Sequence, residues 1–279
     1  MVNVIVTGAS GFVGSAVARR LEGARVLANR RPVLDKGVEV WPGDLTDPAS
    51  LHGLCDGRDT LLHLASQIGG DFETCHEVNT IGTANLLAEA DRAGIGRVIY
   101  LSTAAVYRDG VHRGADVGDL ELDPSSPTSR TRLAAERLVL AAGGVVLRPH
   151  LIYGPGDRWV VPGLLGLLEH LGTWVNDGAA QSSVIHVHDL ARAIAALARL
   201  SDLPRGEVLH ANHPSPVTIR QLVEAFASDL PERSMTLAEA LDLLGPAWAR
   251  RLSLIGNDHW YLSSRLWQIT GEAPAHALD

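Results

Sequence analysis

The chain has 279 residues, of which 46% are apolar and 20% are charged, an ordinary globular composition for one large domain or a domain with an added lobe. Its formal net charge of −8 argues against a nucleic-acid partner, and no apolar run is long enough for a membrane span. Because it has only two cysteines, no disulfide framework and no secretory leader, we expect a cytoplasmic protein.

Short β-branched segments alternate with longer periodic segments over the first 150 residues. The predicted strands are Val2–Val6, Ala24–Ala28, Val38–Trp41, Thr60–Leu64, Arg97–Leu101 and Val145–Leu147. The predicted helices are Gly11–Leu21, Glu73–Ala93, Arg130–Ala142 and Leu190–Leu200. Nearly continuous apolar strands between such helices indicate a parallel sheet that is covered on both faces. We therefore predict an α/β fold with a doubly wound parallel sheet of the Rossmann type, whose ligand crevice lies at the carboxyl ends of the strands.

The pattern changes beyond about residue 150, where proline, glycine and tryptophan become more frequent. We assign residues 1–150 to the main domain and expect residues 181–211 to return to it, with strands at 183–187 and 207–211. Residues 151–180 and 212–279 are predicted to form a smaller C-terminal lobe. We interpret this lobe as the substrate-binding part.

A glycine-rich segment, Thr7–Gly14, connects the first predicted strand to the first helix. Its glycine spacing allows a tight turn, close approach of the backbone to a pyrophosphate, and close helix–strand packing. The helix N-terminus then offers free N–H groups and partial positive charge to the phosphates. This pattern predicts dinucleotide binding rather than a purely structural turn, with contacts from Gly8, Ser10, Gly11, Phe12, Val13 and Gly14.

The second strand ends in Asn29-Arg30-Arg31, where an NAD enzyme would carry an acidic residue for the ribose 2′-hydroxyl. A carboxylate would repel a 2′-phosphate, whereas a guanidinium pairs with it. We therefore predict NADPH as the cofactor, with Asn29, Arg30 and Arg31 at its adenosine ribose. Two solvated loop arginines would explain the charge but not the missing acid.

Further motifs follow in a characteristic order: Gly43–Leu45, His63–Ser66, Val78–Leu87, Arg148–Asp157 and His186–Leu190. Together with the glycine segment, they resemble the extended short-chain dehydrogenase/reductase family, which includes the NAD-dependent epimerases and dehydratases. The resemblance implies that Asp44 and Leu45 flank the adenine, and that Leu64, Ala65 and Ser66 line the cofactor. It places Pro149 and Leu151 beside the nicotinamide. Family members often dimerise through the helices at 73–93 and 130–142, so a homodimer is expected by resemblance.

The resemblance breaks at the catalytic residues. The family uses Ser or Thr together with Tyr-x-x-x-Lys, and the matching positions here are Thr103, Thr128 and Arg132. By resemblance these three form the catalytic site, and Arg132 also holds the nicotinamide ribose. The usual acid is missing, because an aliphatic hydroxyl is far less acidic than a phenol and a guanidinium does not deprotonate.

Reduction of a ketone here needs its proton from another source. Water relayed by Thr103 or Thr128 is one candidate, and the substrate itself is another. We expect Tyr107 and Tyr153 to pack rather than catalyse. His150, beside the nicotinamide, is either a proton donor or a pocket-wall residue.

Sugar-nucleotide members of the family hold the diphosphate with an Asn and an Arg, where this chain has Leu151 and Ser182. Residues 159–183 contain no Lys or Arg, so a buried diphosphate would lack a counter-charge, whereas a flat aromatic ligand suits this apolar stretch. We predict an NADPH-dependent ketoreductase for a large, uncharged, polycyclic aromatic polyketide ketone, resembling the angucyclinone ketoreductases. A sugar-nucleotide epimerase, dehydratase or reductase and a non-catalytic NADP(H)-binding protein are the alternatives. We assign no metal ligand.

Overall fold

The structure is a computed structural model that describes residues 3–30, 32, 33, 37–276 and 278. The strands are β1 Val4–Thr7, β2 Arg25–Ala28, β3 Glu39–Pro42, β4 Thr60–His63, β5 Arg97–Leu101, β6 His112–Ala115, β7 Val145–Arg148, β8 Leu151–Tyr153, β9 Trp174–Val175, β10 Gln181–Ser182, β11 Val184–His186, β12 Val208–His210, β13 Val217–Thr218, β14 Ser234–Met235 and β15 His259–Tyr261. The α-helices are α1 Phe12–Ala18, α2 Pro48–Leu51, α3 Phe72–Cys75, α4 Gly82–Arg92, α5 Pro127–Ala141, α6 Val160–Leu171, α7 Val187–Arg199, α8 Ile219–Glu224, α9 Leu237–Leu244, α10 Ala249–Gly256 and α11 Ser264–Thr270.

A seven-stranded parallel sheet with the order β12-β7-β5-β4-β1-β2-β3 forms the centre of the molecule. Side chains alternate across it, so that Val4 and Val6 pack on one face with α1 and α7, while Ile5 packs on the other with α4 and α5. All residues of β1, β4 and β7 are buried, as expected for strands covered on both faces. The predicted doubly wound Rossmann fold is confirmed.

Two predicted segments differ from the structure. Strand β11, which we expected to rejoin the main sheet, instead pairs in parallel with β8 in a separate two-stranded sheet. The predicted helix at 73–93 contains a π-helical segment, His76–Ile81, between α3 and α4. Strand β12, by contrast, forms the edge of the main sheet beside β7.

The chain after residue 150 builds a second apolar cluster around α6 and Trp174. Helix α6 ends at Gly172, whose φ of +66° is the left-handed C-cap conformation that glycine adopts readily. A four-stranded sheet of order β13-β10-β15-β6 lies in the same part of the fold, and β6 joins it from the first half of the chain. Among the described residues, none of the helices has the length and hydrophobicity that crossing a bilayer requires.

Candidate active site

The glycine segment between β1 and α1 forms a tight cradle. Gly8 has a φ of +74°, and a Cβ atom there would lie 2.7 Å from the backbone nitrogen of Ala65. A Cβ on Gly14 would lie 2.0 Å from the carbonyl oxygen of Gly8. Gly11 stands at the N-cap of α1 without a side-chain cap, and the first turn carries no acidic residue. The N-terminus of α1 is therefore free to meet a phosphate, and this cradle fits a dinucleotide.

The remaining predicted adenosine contacts gather at the ends of β2 and β3. The Nδ2 atom of Asn29 donates to an Asp44 carboxylate oxygen at 2.8 Å, so this amide is already engaged. The pKa of Asp44 lies below its usual range, because the backbone N–H of Thr46 and then other groups stabilise the carboxylate. Arg30 is exposed and acts electrostatically on the same carboxylate. Arg31 lies outside the described residues.

The motif 78–87 positions the neighbouring cofactor loops. The Asn85 side chain donates to the Leu45 backbone carbonyl at 2.9 Å. The side-chain Oδ1 atom of Asn79 accepts the Gln67 N–H at 2.7 Å and the Ser66 hydroxyl at 3.3 Å. Leu64 and Ala65 donate their N–H groups to the Thr7 hydroxyl, at 3.2 Å each. These bonds hold the end of β4 against the Gly8 turn.

Thr128 and Arg132 lie one helical turn apart on α5. This helix begins at Pro127, because Ser126 and Ser129 cap it with reciprocal hydrogen bonds. The Thr128 hydroxyl accepts the backbone N–H of Gly69 at 3.0 Å and lies 3.7 Å from the Cys75 sulfur. The side chain at the tyrosine position therefore faces the loop after β4.

Arg132 points to the end of β5, where its Nη2 atom donates to the Leu101 carbonyl at 2.6 Å. Its Nε atom is buried without a hydrogen-bond partner among the described residues. Two residues beyond Leu101, the Thr103 hydroxyl accepts the Ala105 N–H at 3.2 Å and keeps its own proton free to donate. The structure thus brings Arg132 and Thr103 to the carboxyl end of one strand, and the unpaired Nε offers a donor to a bound ribose.

His63 packs at the same edge and stays uncharged. Burial, followed by the charge of Arg132, lowers its pKa to about 3. Its ring bridges the Thr7 and Thr83 hydroxyls at 2.7 and 2.9 Å. The sequence placed His63 in a motif without giving it a role, and the structure shows that it braces β1 against α4.

The predicted nicotinamide wall follows β7. The Pro149 carbonyl accepts the Ala104 N–H at 2.8 Å, and the Leu151 N–H donates to the Ser183 carbonyl at 3.3 Å. The His150 N–H donates to the Asn212 side chain at 2.8 Å, and the His150 ring stacks on His259. Three buried polar atoms of this region have no hydrogen-bond partner among the described residues: His150 Nε2, Ser182 Oγ and Asn212 Nδ2.

Burial, then the charges of His259 and His112, holds the pKa of His150 well below its usual value. A neutral imidazole is a poor proton donor, so this environment favours the pocket-wall interpretation of His150 over the proton-donor one. Its orphaned Nε2 atom can instead accept or donate one hydrogen bond to a bound molecule.

Tyr107 and Tyr153 are both engaged elsewhere. The Tyr107 hydroxyl lies 2.7 Å from His210 Nε2 and accepts from Arg148 at 3.0 Å, and burial raises its pKa. Arg148 in turn pairs with the buried Glu136 through bonds of 3.0 and 2.5 Å. The Tyr153 hydroxyl donates to the His276 carbonyl at 3.4 Å. Neither phenol is arranged as a replacement acid.

Known proteins share this architecture. Residues 4–210 match the NAD dependent epimerase/dehydratase family. The chain is 33% identical to the 2-alkyl-3-oxoalkanoate reductase of Stenotrophomonas maltophilia (strain K279a), over 85% of this chain and 79% of that protein. It is 30% identical to the 4-hydroxy-2-methyl-3-oxo-4-farnesyl-3,4-dihydroquinoline-1-oxide ketoreductase of Stigmatella aurantiaca, over 91% of this chain and 80% of that protein.

Solved structures agree with the fold. MoeE5 in complex with UDP-glucuronic acid and NAD superposes with a TM-score of 0.76 at 27% identity, covering 99% of this chain and 95% of that one. A short-chain dehydrogenase/reductase superfamily protein from Agrobacterium tumefaciens with bound NAD gives a TM-score of 0.80 at 19% identity, covering 99% and 93%, which shows the fold alone. The family match spans the glycine cradle and the carboxyl edge of the sheet, and the protein therefore belongs to the NAD-dependent epimerase/dehydratase family.

Proposed function

We propose that this protein is an NADPH-dependent ketoreductase of the cytoplasm that reduces a carbonyl of a large, uncharged, polycyclic aromatic polyketide ketone. We propose that it resembles the angucyclinone ketoreductases, such as that of the simocyclinone pathway, in function. Two similar proteins carry names of reductases for 3-oxo compounds, and one of these names is that of a quinoline ketoreductase. A homodimer through α4 and α5 remains an expectation from the resemblance.

The observation that carries the proposal is that residues 159–183 contain no Lys or Arg, and that Leu151 and Ser182 occupy the positions of the diphosphate contacts expected by resemblance. Leu151 packs into the apolar cluster of α6, and Ser182 is fully buried. Trp159, which is 64% exposed at the start of α6, offers a flat apolar surface. An uncharged ring system suits these surroundings, whereas an unpaired diphosphate would be strongly disfavoured.

When bound, NADPH would supply the hydride, and the residues of the chain would orient the reactants. Gly8 and the N-terminus of α1 would hold the pyrophosphate, while the free Nε of Arg132 would hold a ribose hydroxyl. Thr103 can donate its proton to the carbonyl oxygen as a hydrogen bond. A phenolic hydroxyl adjacent to the carbonyl would supply the proton itself, and so replace the missing tyrosine.

The direct test is a screen of aromatic polyketide ketones, with and without a phenol beside the carbonyl, followed by NADPH absorbance and product identification. We expect turnover only with the phenol-bearing members. Equal turnover of the O-methylated analogues would contradict the substrate-assisted mechanism. Failure of every ketone to oxidise NADPH would favour the non-catalytic alternative.

The threonines at the site are expected to matter little for the chemical step. Thr103→Ala and Thr128→Ala should each keep most of the turnover, because the proton comes from the substrate rather than from either hydroxyl. Steady-state kinetics of both variants against the parent enzyme provide the measurement. A loss of about 10³-fold in kcat for either variant would end this mechanism, since that is the scale of a lost general acid.

NADPH specificity has its own test. Arg30→Ala combined with Arg31→Ala should weaken NADPH binding at least about tenfold, because a bidentate phosphate contact is lost, and should leave NADH affinity within about twofold. Fluorescence titration measures both, with Arg250→Ala, an exposed arginine of α10, as the matched control. Parallel losses for NADH and NADPH would show that these arginines do not read the 2′-phosphate.

The sugar-nucleotide alternative rests on the likeness to MoeE5, whose structure holds UDP-glucuronic acid. Calorimetry with UDP, dTDP and their sugars separates the two functions. Micromolar binding of a nucleoside diphosphate would favour the alternative, and the buried Leu151 and Ser182 lead us to expect none.

A further inference from the structure

Three histidines, none of which is assigned to hydride transfer, converge at the N-terminus of α7. His186 is the N-cap of this helix, His188 lies in its first turn, and His276 arrives from the C-terminal segment. One nitrogen from each ring lies within 4.8 Å of the others. The rings of His186 and His276 stack with centroids 4.0 Å apart, and His188 meets His186 edge-on at 4.9 Å.

The surroundings keep two of these rings neutral. Burial, followed by His276 and His188, lowers the pKa of His186 to about 4. Burial, followed by the charge of Arg20, also lowers the pKa of His188. A histidine binds a metal ion through the lone pair of its neutral ring, and the three rings present nitrogens within 4.8 Å of one another.

The third ring is oriented by a buried carboxylate. His276 Nδ1 lies 3.0 Å from Asp189 Oδ1, and a proton shared there leaves the lone pair of the neutral ring on Nε2. The other oxygen of Asp189 accepts the backbone N–H groups of Ala275 and His276 at 3.1 and 2.9 Å. A carboxylate behind a histidine is the usual support of a metal-bound imidazole, because it fixes both tautomer and ring direction.

We propose that His186, His188 and His276 bind a divalent transition-metal ion, and that Zn²⁺ with water as the fourth ligand suits them best. Three neutral imidazoles without a thiolate or a direct carboxylate match zinc chemistry. The ion joins the C-terminal segment to α7 and β11. Binding of this ion does not depend on the proposed function.

Binding requires a modest rearrangement. Zn–N bonds of about 2.0–2.1 Å in a tetrahedron bring the nitrogens to about 3.3 Å from one another, so the stacked rings must tilt apart and close on the ion. Among the described residues, neither ring nitrogen of His188 makes a hydrogen bond, and the His276 side chain is 41% exposed. On binding the ion, His186 would lose only the hydrogen bond that its Nδ1 atom accepts from the backbone N–H of His188. This bond is 3.3 Å long, which is near the upper limit for an N–H hydrogen bond.

The positive groups nearby set a limit on affinity. Arg19 and Arg20 act on His188, and Arg192 pairs with Asp189 at 3.1 Å. These guanidinium groups oppose a cation, whereas the Asp189 carboxylate favours it. We therefore expect micromolar rather than nanomolar affinity for Zn²⁺.

The test is calorimetric titration of the chelator-treated full chain with ZnCl₂. We expect one site with a dissociation constant of about 1–10 μM, weakened at least about tenfold by either His188→Ala or His276→Ala. His52→Ala, an exposed histidine at the end of α2, is the matched control and should bind as the parent does. Circular dichroism of each metal-free variant shows that it is folded before titration.

Thermal unfolding gives a second readout. A hundredfold excess of Zn²⁺ over the dissociation constant should raise the Tm of the parent by about 5 °C and leave the His188→Ala variant unchanged. If the cluster is only a His276–Asp189 ion pair, His276→Ala lowers the Tm while Zn²⁺ has no effect on the parent. That result, or zinc binding that survives both alanine variants, would overturn the proposal.

Discussion

Replacing Gly8 by alanine is expected to weaken NADPH binding at least about 100-fold. The Cβ atom would lie 2.7–2.8 Å from backbone atoms of Leu64 and Ala65, so the turn must open, and the cradle for the pyrophosphate opens with it. In addition, alanine would have to adopt the φ of +74° found at Gly8, a left-handed conformation that costs an L-residue about 1–2 kcal/mol of conformational free energy.

Gly23 provides the matched control for this variant. It has the same φ of +74°, but a Cβ atom there would meet nothing within 4 Å. Gly23→Ala therefore carries the backbone strain without the clash. Fluorescence titration of NADPH with both variants, at matched folded fractions from circular dichroism, separates the two effects. If Gly8→Ala binds NADPH within about threefold of Gly23→Ala, the close approach at Gly8 is not what forms the site.

The parts of the fold that follow local rules could be predicted from the sequence. Strands β1, β4 and β7 of the main sheet are short, fully buried and mainly apolar segments, and the Gly8-Gly11-Gly14 spacing predicts a tight turn because the constraint is steric and local. The sequence also predicted that Thr128 occupies the position of the family's catalytic tyrosine. What could not be read was the hydrogen bond from Gly69 to Thr128, because 59 residues of chain separate the two groups.

Long-range pairing explains the remaining misses. Strand β11 has the apolar pattern of a main-sheet strand, but its partner is β8, and pattern alone does not choose between neighbours. The π-helical segment at His76–Ile81 has no periodicity signal of its own. His276 joins His186 only in the folded chain, so the spacing of histidines along the sequence gave no reason to expect a metal site.

Glu136 and Arg148 form a buried ion pair that the sequence did not reveal. Both side chains are nearly fully buried, with exposures of 1% and 5%, and they connect α5 to β7. Arg148 also donates to the Tyr107 hydroxyl, and its guanidinium lies 5.0 Å from the centre of the Tyr107 ring. Removing the carboxylate would leave a buried cation whose one remaining hydrogen-bond partner among the described residues is the Tyr107 hydroxyl.

Glu136→Leu is therefore expected to lower the free energy of unfolding by about 3–5 kcal/mol, the scale for breaking a buried ion pair. Urea unfolding measures this change. Glu121→Gln is the matched control, because it breaks an exposed ion pair between Arg108 and Glu121, whose side chains are 58% and 59% exposed. This substitution should lower the free energy of unfolding by less than about 1 kcal/mol.

The double variant Glu136→Leu with Arg148→Met distinguishes an unpaired charge from lost packing. If the cost arises from the uncompensated guanidinium, the double variant should regain most of the stability, because two apolar side chains of similar size replace the pair. If the single variant Glu136→Leu and the double variant are equally unstable, the carboxylate instead contributes to stability through the packing between α5 and β7. We assign Glu136 as the counter-charge that stabilises the buried Arg148. If Glu136→Leu were as stable as Glu121→Gln, this assignment would be wrong.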